Sequence, residues 1–163
     1  NLKGRKLRVV SVEKTAKKMF APGLYDLTEL QRDANKKFGY SAKETLNIMQ
    51  RLYENHKALT YPRTDSRYIG TDVAETIKER LMACAAGPYR KLASGLAAKP
   101  VRTNASFVND KKVSDHHAII PTEQYVQLEH MTTEERKIYD LAVRRFLAVL
   151  FPPFLFPPSA ALP

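Results

Sequence analysis

The 163-residue chain has a single cysteine, Cys84, no apolar run approaching the roughly 20 residues of a membrane span, and no glycine-rich phosphate loop. One cysteine excludes an internal disulfide and any CxxC metal or redox pair. It points to a reducing compartment, with Cys84 itself read as core packing. Without the phosphate loop, ATP use is not indicated. The start, Asn1-Leu2-Lys3-Gly4-Arg5, has no initiator methionine and no apolar stretch of the kind a secretory signal carries. With the abrupt end at Pro163, this reads as a piece of a longer protein. No internal repeat is visible, and the length fits one ordinary domain with part of a second. Acidic residues are in deficit: 27 Lys and Arg face 17 Asp and Glu, giving a formal charge of +10 and a pI near 9.7. That excess favours a polyanion, nucleic acid first, although a solvated basic surface or an acidic partner domain would have the same composition.

What is present is mainly helix signal. Residues 6–13 have the β-branched content of a strand, and Ala21-Pro22-Gly23 marks a boundary. Thr28 with Gln31, Ser41 with Glu44, Asp72 with Glu75 and Thr132 with Glu135 each have the spacing of a capping box, so four helices are expected to start there. Phe38-Gly39 closes the first. In the second, Ala42, Leu46, Met49 and Tyr53 fall on one apolar stripe flanked by Thr45, Ile48 and Leu52, which puts Tyr53 in the core. The third is expected over residues 73–86, ended by Gly87-Pro88, with Pro88 opening a short helix through Leu92. The last shows Ile138, Leu141, Ala142, Phe146, Val149 and Leu150 at helical spacing up to Phe151-Pro152-Pro153. The proline-rich end, residues 152–163, is not expected to form regular structure.

Between the second and third helices lies Leu59-Thr60-Tyr61-Pro62-Arg63-Thr64-Asp65-Ser66-Arg67-Tyr68. Pro62 disfavours helix at Tyr61, so the segment should run extended, with Tyr61, Arg63 and Asp65 facing together. A free phenol, with a pKa near 10, is almost wholly protonated at neutral pH. A guanidinium in contact can lower such a value by about 1–3 and can also hold a phosphate. Taken alone, Tyr-Pro-Arg fits cation–π packing as well as catalysis.

The whole string closely resembles the active-site motif of type IA DNA topoisomerases, in the form used by the topoisomerase III branch. Ser114-Asp115-His116-His117-Ala118-Ile119-Ile120-Pro121-Thr122 resembles the family's histidine motif, at a comparable distance downstream. Residues 24–35 and 45–54 are also similar to that family's helical approach to the site. The resemblance extends over roughly residues 5–151.

The resemblance implies a mainly α fold with a few short strands: residues 1–22 an edge of the hinge domain II, residues 23–151 the tyrosine-bearing domain III, and residues 152–163 an unassigned tail. It implies that Tyr61 attacks a backbone phosphate of single-stranded DNA to give a 5′-phosphotyrosine and a free 3′ hydroxyl, so that DNA is relaxed or decatenated. Arg63 would support that chemistry and His116 would bind the phosphate near the break. DNA contacts are expected from Arg63, Arg67, Lys111, His116 and His117. Arg51, Lys57 and Lys112 are further candidates to track the backbone, with Tyr53 or Tyr68 offered as stacking surfaces, core being the favoured place for Tyr53. His117 is expected to orient its loop. In an extended segment the two adjacent histidines point to opposite sides and make a poor chelate, so no metal ligand is assigned. The family holds Mg²⁺ in a Toprim domain through an Asp-x-Asp-x-Glu cluster; this sequence has no Asp-x-Asp, so that site is expected outside the chain, and the Toprim and hinge domains of the same polypeptide are the implied partners. A cytoplasmic, nucleoid-associated location follows from the same likeness. The alternative is a non-catalytic module in which the tyrosine stacks on a base and the arginines hold phosphates of single-stranded DNA.

Overall fold

The computed structural model describes residues 17–19, 21–152 and 154–156. The chain divides into two units. In the one drawn from the chain ends, β1 (Lys17–Met19) pairs antiparallel with β2 (Phe154–Phe156), Lys17 opposite Phe156. The proline-rich end is thus not wholly irregular: Phe-Leu-Phe lies between its prolines, and strand pairing needs only three free residues and a partner. The strand expected over residues 6–13 lies outside the described residues.

The second unit, Ala21–Pro152, is helical. Its elements are α1 (Leu27–Phe38), α2 (Ala42–Glu54), α3 (Thr71–Ala74), α4 (Ile77–Cys84), α5 (Arg90–Ala97) and α6 (Thr133–Leu150). Two boxes form as expected. Ser41 Oγ accepts from Glu44 N–H while the Glu44 carboxylate accepts from Ser41 N–H, and Thr132 and Glu135 do the same at α6. Gly39 closes α1 at φ 73°, a left-handed turn that suits glycine.

Three expectations are corrected. The cap of α1 is Asp26, whose carboxylate accepts from Glu29 N–H at 2.8 Å; Thr28 lies inside the helix because Leu27 N–H is already held by Thr64 O at 3.0 Å. The third helix is two pieces. Asp72 does not cap it; Gly70 precedes Thr71, and a Cβ there would stand 2.5 Å from Asp72 Oδ1. The break follows because Thr76 N–H and Oγ1 both take the Val73 carbonyl, at 2.9 and 2.7 Å. The helix after Pro88 continues beyond Leu92, to Ala97.

The core lies where α2 packs on α6, α1 on both, and α4 on α5. Ile48, Met49 and Leu52 of α2, Ile138, Ala142 and Phe146 of α6, and Leu30 and Ala34 of α1 belong to one buried cluster. Each large side chain buried here contributes about 1.5–3 kcal/mol. Truncating Phe146, 1% exposed, would cost on the order of 3–5 kcal/mol. One polar clamp ties α2 to α6: buried Glu135 accepts from Arg51 Nε at 3.0 Å and from His56 Nε2 at 2.6 Å. Among the described residues no helix is long and apolar enough to cross a membrane.

Candidate active site

Three irregular segments, residues 23–27, 58–69 and 116–122, are laced together on the helical layer and carry the reactive groups. Isolated bridges join Tyr25 to Ile119 and Leu59 to Pro121. Ala118 N–H donates to Tyr68 O at 2.9 Å, Ile119 N–H to Tyr25 O at 2.8 Å, Thr60 N–H to Ile120 O at 3.0 Å and Thr122 N–H to Ala58 O at 3.1 Å. Backbone groups with no helix or long strand to satisfy them therefore fix the tyrosine and histidine segments against each other.

Side chains reinforce this lacing. Thr60 Oγ1 donates to Ala118 O at 3.2 Å and accepts from Ile120 N–H at 3.0 Å. Thr64 Oγ1 donates to His116 O at 3.2 Å and accepts from Ser66 N–H. Buried Ser66 donates to Lys112 O at 2.8 Å, and Asp65 accepts from Ser114 Oγ at 3.0 Å. Thr60 and Thr64 thus hold the two segments in register, while Asp65 and Ser66 hold the stretch that leads into the histidine segment.

The result brings Tyr61 and His116, 55 residues apart in sequence, face to face: their ring centroids are 4.2 Å apart with the planes 33° from parallel. Tyr53 meets Tyr61 edge-on, 5.4 Å between centroids. Tyr53 is therefore not a core residue but 36% exposed. The buried stripe of α2 is Thr45, Ile48, Met49 and Leu52, rotated away from Tyr53, because the faces covered by α1 and α6 set it.

Arg63 and Asp65 do not share Tyr61's side. Thr64 N–H donates to Pro62 O at 3.0 Å, a three-residue turn that breaks the alternation. Tyr61 lines a cleft of about 800 Å³ with Tyr53, Lys57, Arg80 and His117. Arg63 lines a second, of about 500 Å³, with Asp65, Ser114, Asp115 and His116. His116, stacked on Tyr61 and lining the Arg63 cleft, links the two. Arg63 is exposed, and among the described residues it makes no hydrogen bond, ion pair or cation–π contact, so its guanidinium is available to an anion.

The two histidines open on different clefts, as an extended segment requires. His117 Nδ1 lies 2.7 Å from Ala118 O and therefore carries the proton. Burial pushes His117 below the ordinary imidazole range, against the Ala118 carbonyl, with the Arg80 charge adding to the fall. Arg67 gives its guanidinium to the carbonyls of Leu24 (3.0 Å) and Gly23 (3.4 Å), tying the segment before α1 to the site. Lys111 is exposed, and Lys112 Nζ reaches the Tyr68 hydroxyl at 3.3 Å. Among the described residues no three His, Cys, Asp or Glu side chains gather as a metal site.

Arg80 is the residue that sequence reasoning missed. It is 9% exposed, with Nε on Thr76 Oγ1 at 2.8 Å, Nη1 on Pro121 O at 2.9 Å and Nη2 on Glu123 Oε1 at 3.4 Å. Burial pulls its pKa down, opposed by Glu123. The available signal was its place three residues after Ile77 and four before Cys84, on the apolar face of α4.

The family model for DNA topoisomerase matches residues 1–158. The chain is 69% identical over 146 residues to DNA topoisomerase 3 of Bacillus thuringiensis (strain Al Hakam), covering 90% of this chain and 20% of that protein. It is 54% identical over 154 residues to DNA topoisomerase 3 of Bacillus subtilis (strain 168), covering 94% and 21%. The chain thus spans about a fifth of the length of these curated relatives. Among solved structures it resembles full-length topoisomerase I from Thermotoga maritima, with a TM-score of 0.58 at 27% identity, over 86% of this chain and 22% of the other.

Proposed function

The chain belongs to the DNA topoisomerase family, and from that premise we propose that it carries the strand-cutting tyrosine of a type IA enzyme of the topoisomerase III branch, Tyr61, acting on single-stranded DNA. The observation that carries this reading is the stack of Tyr61 on His116, which lines the same cleft as Arg63, a guanidinium with no partner among the described residues. In the cutting step the Tyr61 phenol oxygen bonds to a backbone phosphorus as the bond from phosphorus to O3′ breaks. The phenol gives up its proton and O3′ gains one, leaving a 5′-phosphotyrosine and a 3′ hydroxyl; the reverse reseals the strand. Arg63, a planar donor with a permanent charge, and His116, a donor when protonated, hold the non-bridging oxygens as negative charge builds on them.

Arg67 serves by positioning, since its donors go to Gly23 and Leu24, while Lys111 and Lys112 follow the backbone outside the site. His117, neutral and proton-bearing at Nδ1, fixes its loop and leaves Nε2 as an acceptor. The remaining four fifths of such a protein would supply strand passage and the metal site, in hinge and Toprim domains of the same polypeptide at the bacterial nucleoid. The chain alone then binds single-stranded DNA weakly, in a salt-sensitive way, and does not relax supercoiled DNA.

The test is Tyr61→Phe in the full-length polypeptide, a change that removes one oxygen. Covalent attachment and plasmid relaxation are expected to vanish while single-stranded DNA binding survives. Persistent relaxation would overturn the reading; loss of attachment by the variant, with wild-type attachment intact, separates catalysis from a purely binding module.

A further inference from the structure

The cleavage reading uses the larger cleft only for its Tyr61 wall, and the rest of it is unexplained. Four features of that cleft are independent of the cutting step. First, Arg80 has five N–H groups and three acceptors among the described residues, so two remain on a guanidinium that forms part of the cleft wall. Second, Lys57 lines the cleft at φ 50°, the left-handed region in which glycine would be free of strain. Its carbonyl is held there by Thr122 Oγ1 at 2.5 Å. A residue held off its preferred backbone in the cleft lining marks a position set by its surroundings. Third, Tyr53 presents aromatic surface at the rim, 36% exposed. Fourth, the formal charges of the lining cancel: Lys57 and Arg80 face Glu54 and Glu123. A plain phosphate trap would be cationic, whereas a mixed set of donors and acceptors beside an aromatic ring suits a nucleoside.

The geometry points to a nucleoside subsite: the cleft takes the base and sugar of the nucleotide whose 5′ phosphate is transferred to Tyr61, with Tyr53 as its aromatic wall and Arg80 and Lys57 as donors. This rests on the cleavage reading above. The choice of nucleotide follows from the bond balance. Once the bond to O3′ breaks, only the nucleotide on the 5′-phosphate side stays tethered, and the cleft that includes Tyr61 in its wall is the one within reach of that tether. Phosphate is then held in the cleft that Arg63 and His116 line, and nucleoside in the cleft that Tyr53 and Tyr61 line. Holding the tethered end keeps it aligned for resealing.

The experiment measures single-turnover covalent attachment by the full-length protein to oligonucleotides of one sequence. One carries an abasic residue immediately 3′ of the cut, another carries it several residues further on. The abasic residue next to the cut should raise the half-saturating concentration about tenfold, in the range measured for loss of one base stack, and the distant one should change little. Tyr53→Ala should produce the same loss on the intact strand and no further loss on the adjacent abasic one, because both remove the same contact. Lys57→Gly should raise the melting temperature by relieving the left-handed strain while weakening attachment. Additive effects of Tyr53→Ala and the adjacent abasic residue, an adjacent abasic residue without effect, or Lys57→Gly with unchanged attachment would each overturn the subsite. Tyr61→Phe run in parallel keeps the two readings apart: if it still attaches, the cleavage reading fails; if it does not, any of those three outcomes counts against the subsite alone.

Discussion

Thr60→Val tests the idea that the site is held together by the lacing of two segments rather than by Tyr61 and His116 themselves. The substitution removes one hydroxyl, which accepts from Ile120 N–H at 3.0 Å and donates to Ala118 O at 3.2 Å. Both partner residues are fully buried, so neither group is compensated by bulk water. A made hydrogen bond contributes about 1 kcal/mol net, and an orphaned buried donor costs about 1–3 kcal/mol. Thr60 itself is half-buried and its own N–H still reaches Ile120 O, which places the expected loss near 2 kcal/mol. For a domain of this length that corresponds to a melting temperature lower by about 4–8 °C. Thermal unfolding followed by circular dichroism measures it, with Thr60→Ser, which keeps the hydroxyl, as the control that should retain most of the stability. In the full-length polypeptide, attachment to DNA below the melting point should fall as well, because His116 loses its register with Tyr61. An unchanged melting temperature for Thr60→Val would refute the lacing argument.

Glu135→Ala should cost about 1–3 kcal/mol by leaving half-exposed Arg51 and the less exposed His56 without their partner, read as a lower denaturant midpoint. The pH sign follows from the same carboxyl. Burial works against its charge, but the hydrogen bonds from Thr132 N–H, Arg51 and His56 prevail and hold its pKa below the ordinary 4.5. Its contribution is therefore full above pH 4.5 and lost as acid passes through the lower folded value, so the stability gap between wild type and Glu135→Gln should narrow below pH 4.5. Burial pushes the Cys84 thiol up to about 11, so alkylation at neutral pH should proceed only at the rate of unfolding, measurable by mass spectrometry with and without denaturant. Arg145→Met removes donors from Gly23 O (3.0 Å) and Asp33 Oδ2 (2.9 Å) and a guanidinium 4.0 Å from the Tyr25 ring centre; a destabilisation of about 2–3 kcal/mol is expected in the same denaturant assay.

Local chemistry made much of the fold legible and long-range chemistry limited it. The boxes at Ser41 and Thr132 needed only residues three apart, and Gly39 needed only its own backbone freedom. Asp26 and Thr28 offered competing starts for α1, and the decision came from Thr64, 37 residues away from Leu27. Tyr53 could be placed on a stripe but not on the buried stripe, because the neighbours of α2 choose which face is covered. Arg80 contradicts the rule that charge faces water, and its acceptor at Pro121 is supplied by the histidine segment 41 residues on. Tyr61 and His116 were readable as reactive groups in a motif, yet their contact was not, since it depends on Thr60 and Thr64 pinning two irregular segments that have no periodicity to detect. The pairing of Phe154–Phe156 with Lys17–Met19 was hidden by the prolines around it.

The most direct measurement is the site of covalent attachment. A full-length polypeptide carrying this chain is incubated with a single-stranded oligonucleotide, denatured to trap the adduct, digested with protease and nuclease, and the modified peptide sequenced by mass spectrometry. The account predicts on Tyr61 the 5′ phosphate of the strand that lies 3′ of the cut, and no adduct when Tyr61 is phenylalanine. An adduct on any other residue, or one of normal yield with Tyr61→Phe, would contradict it.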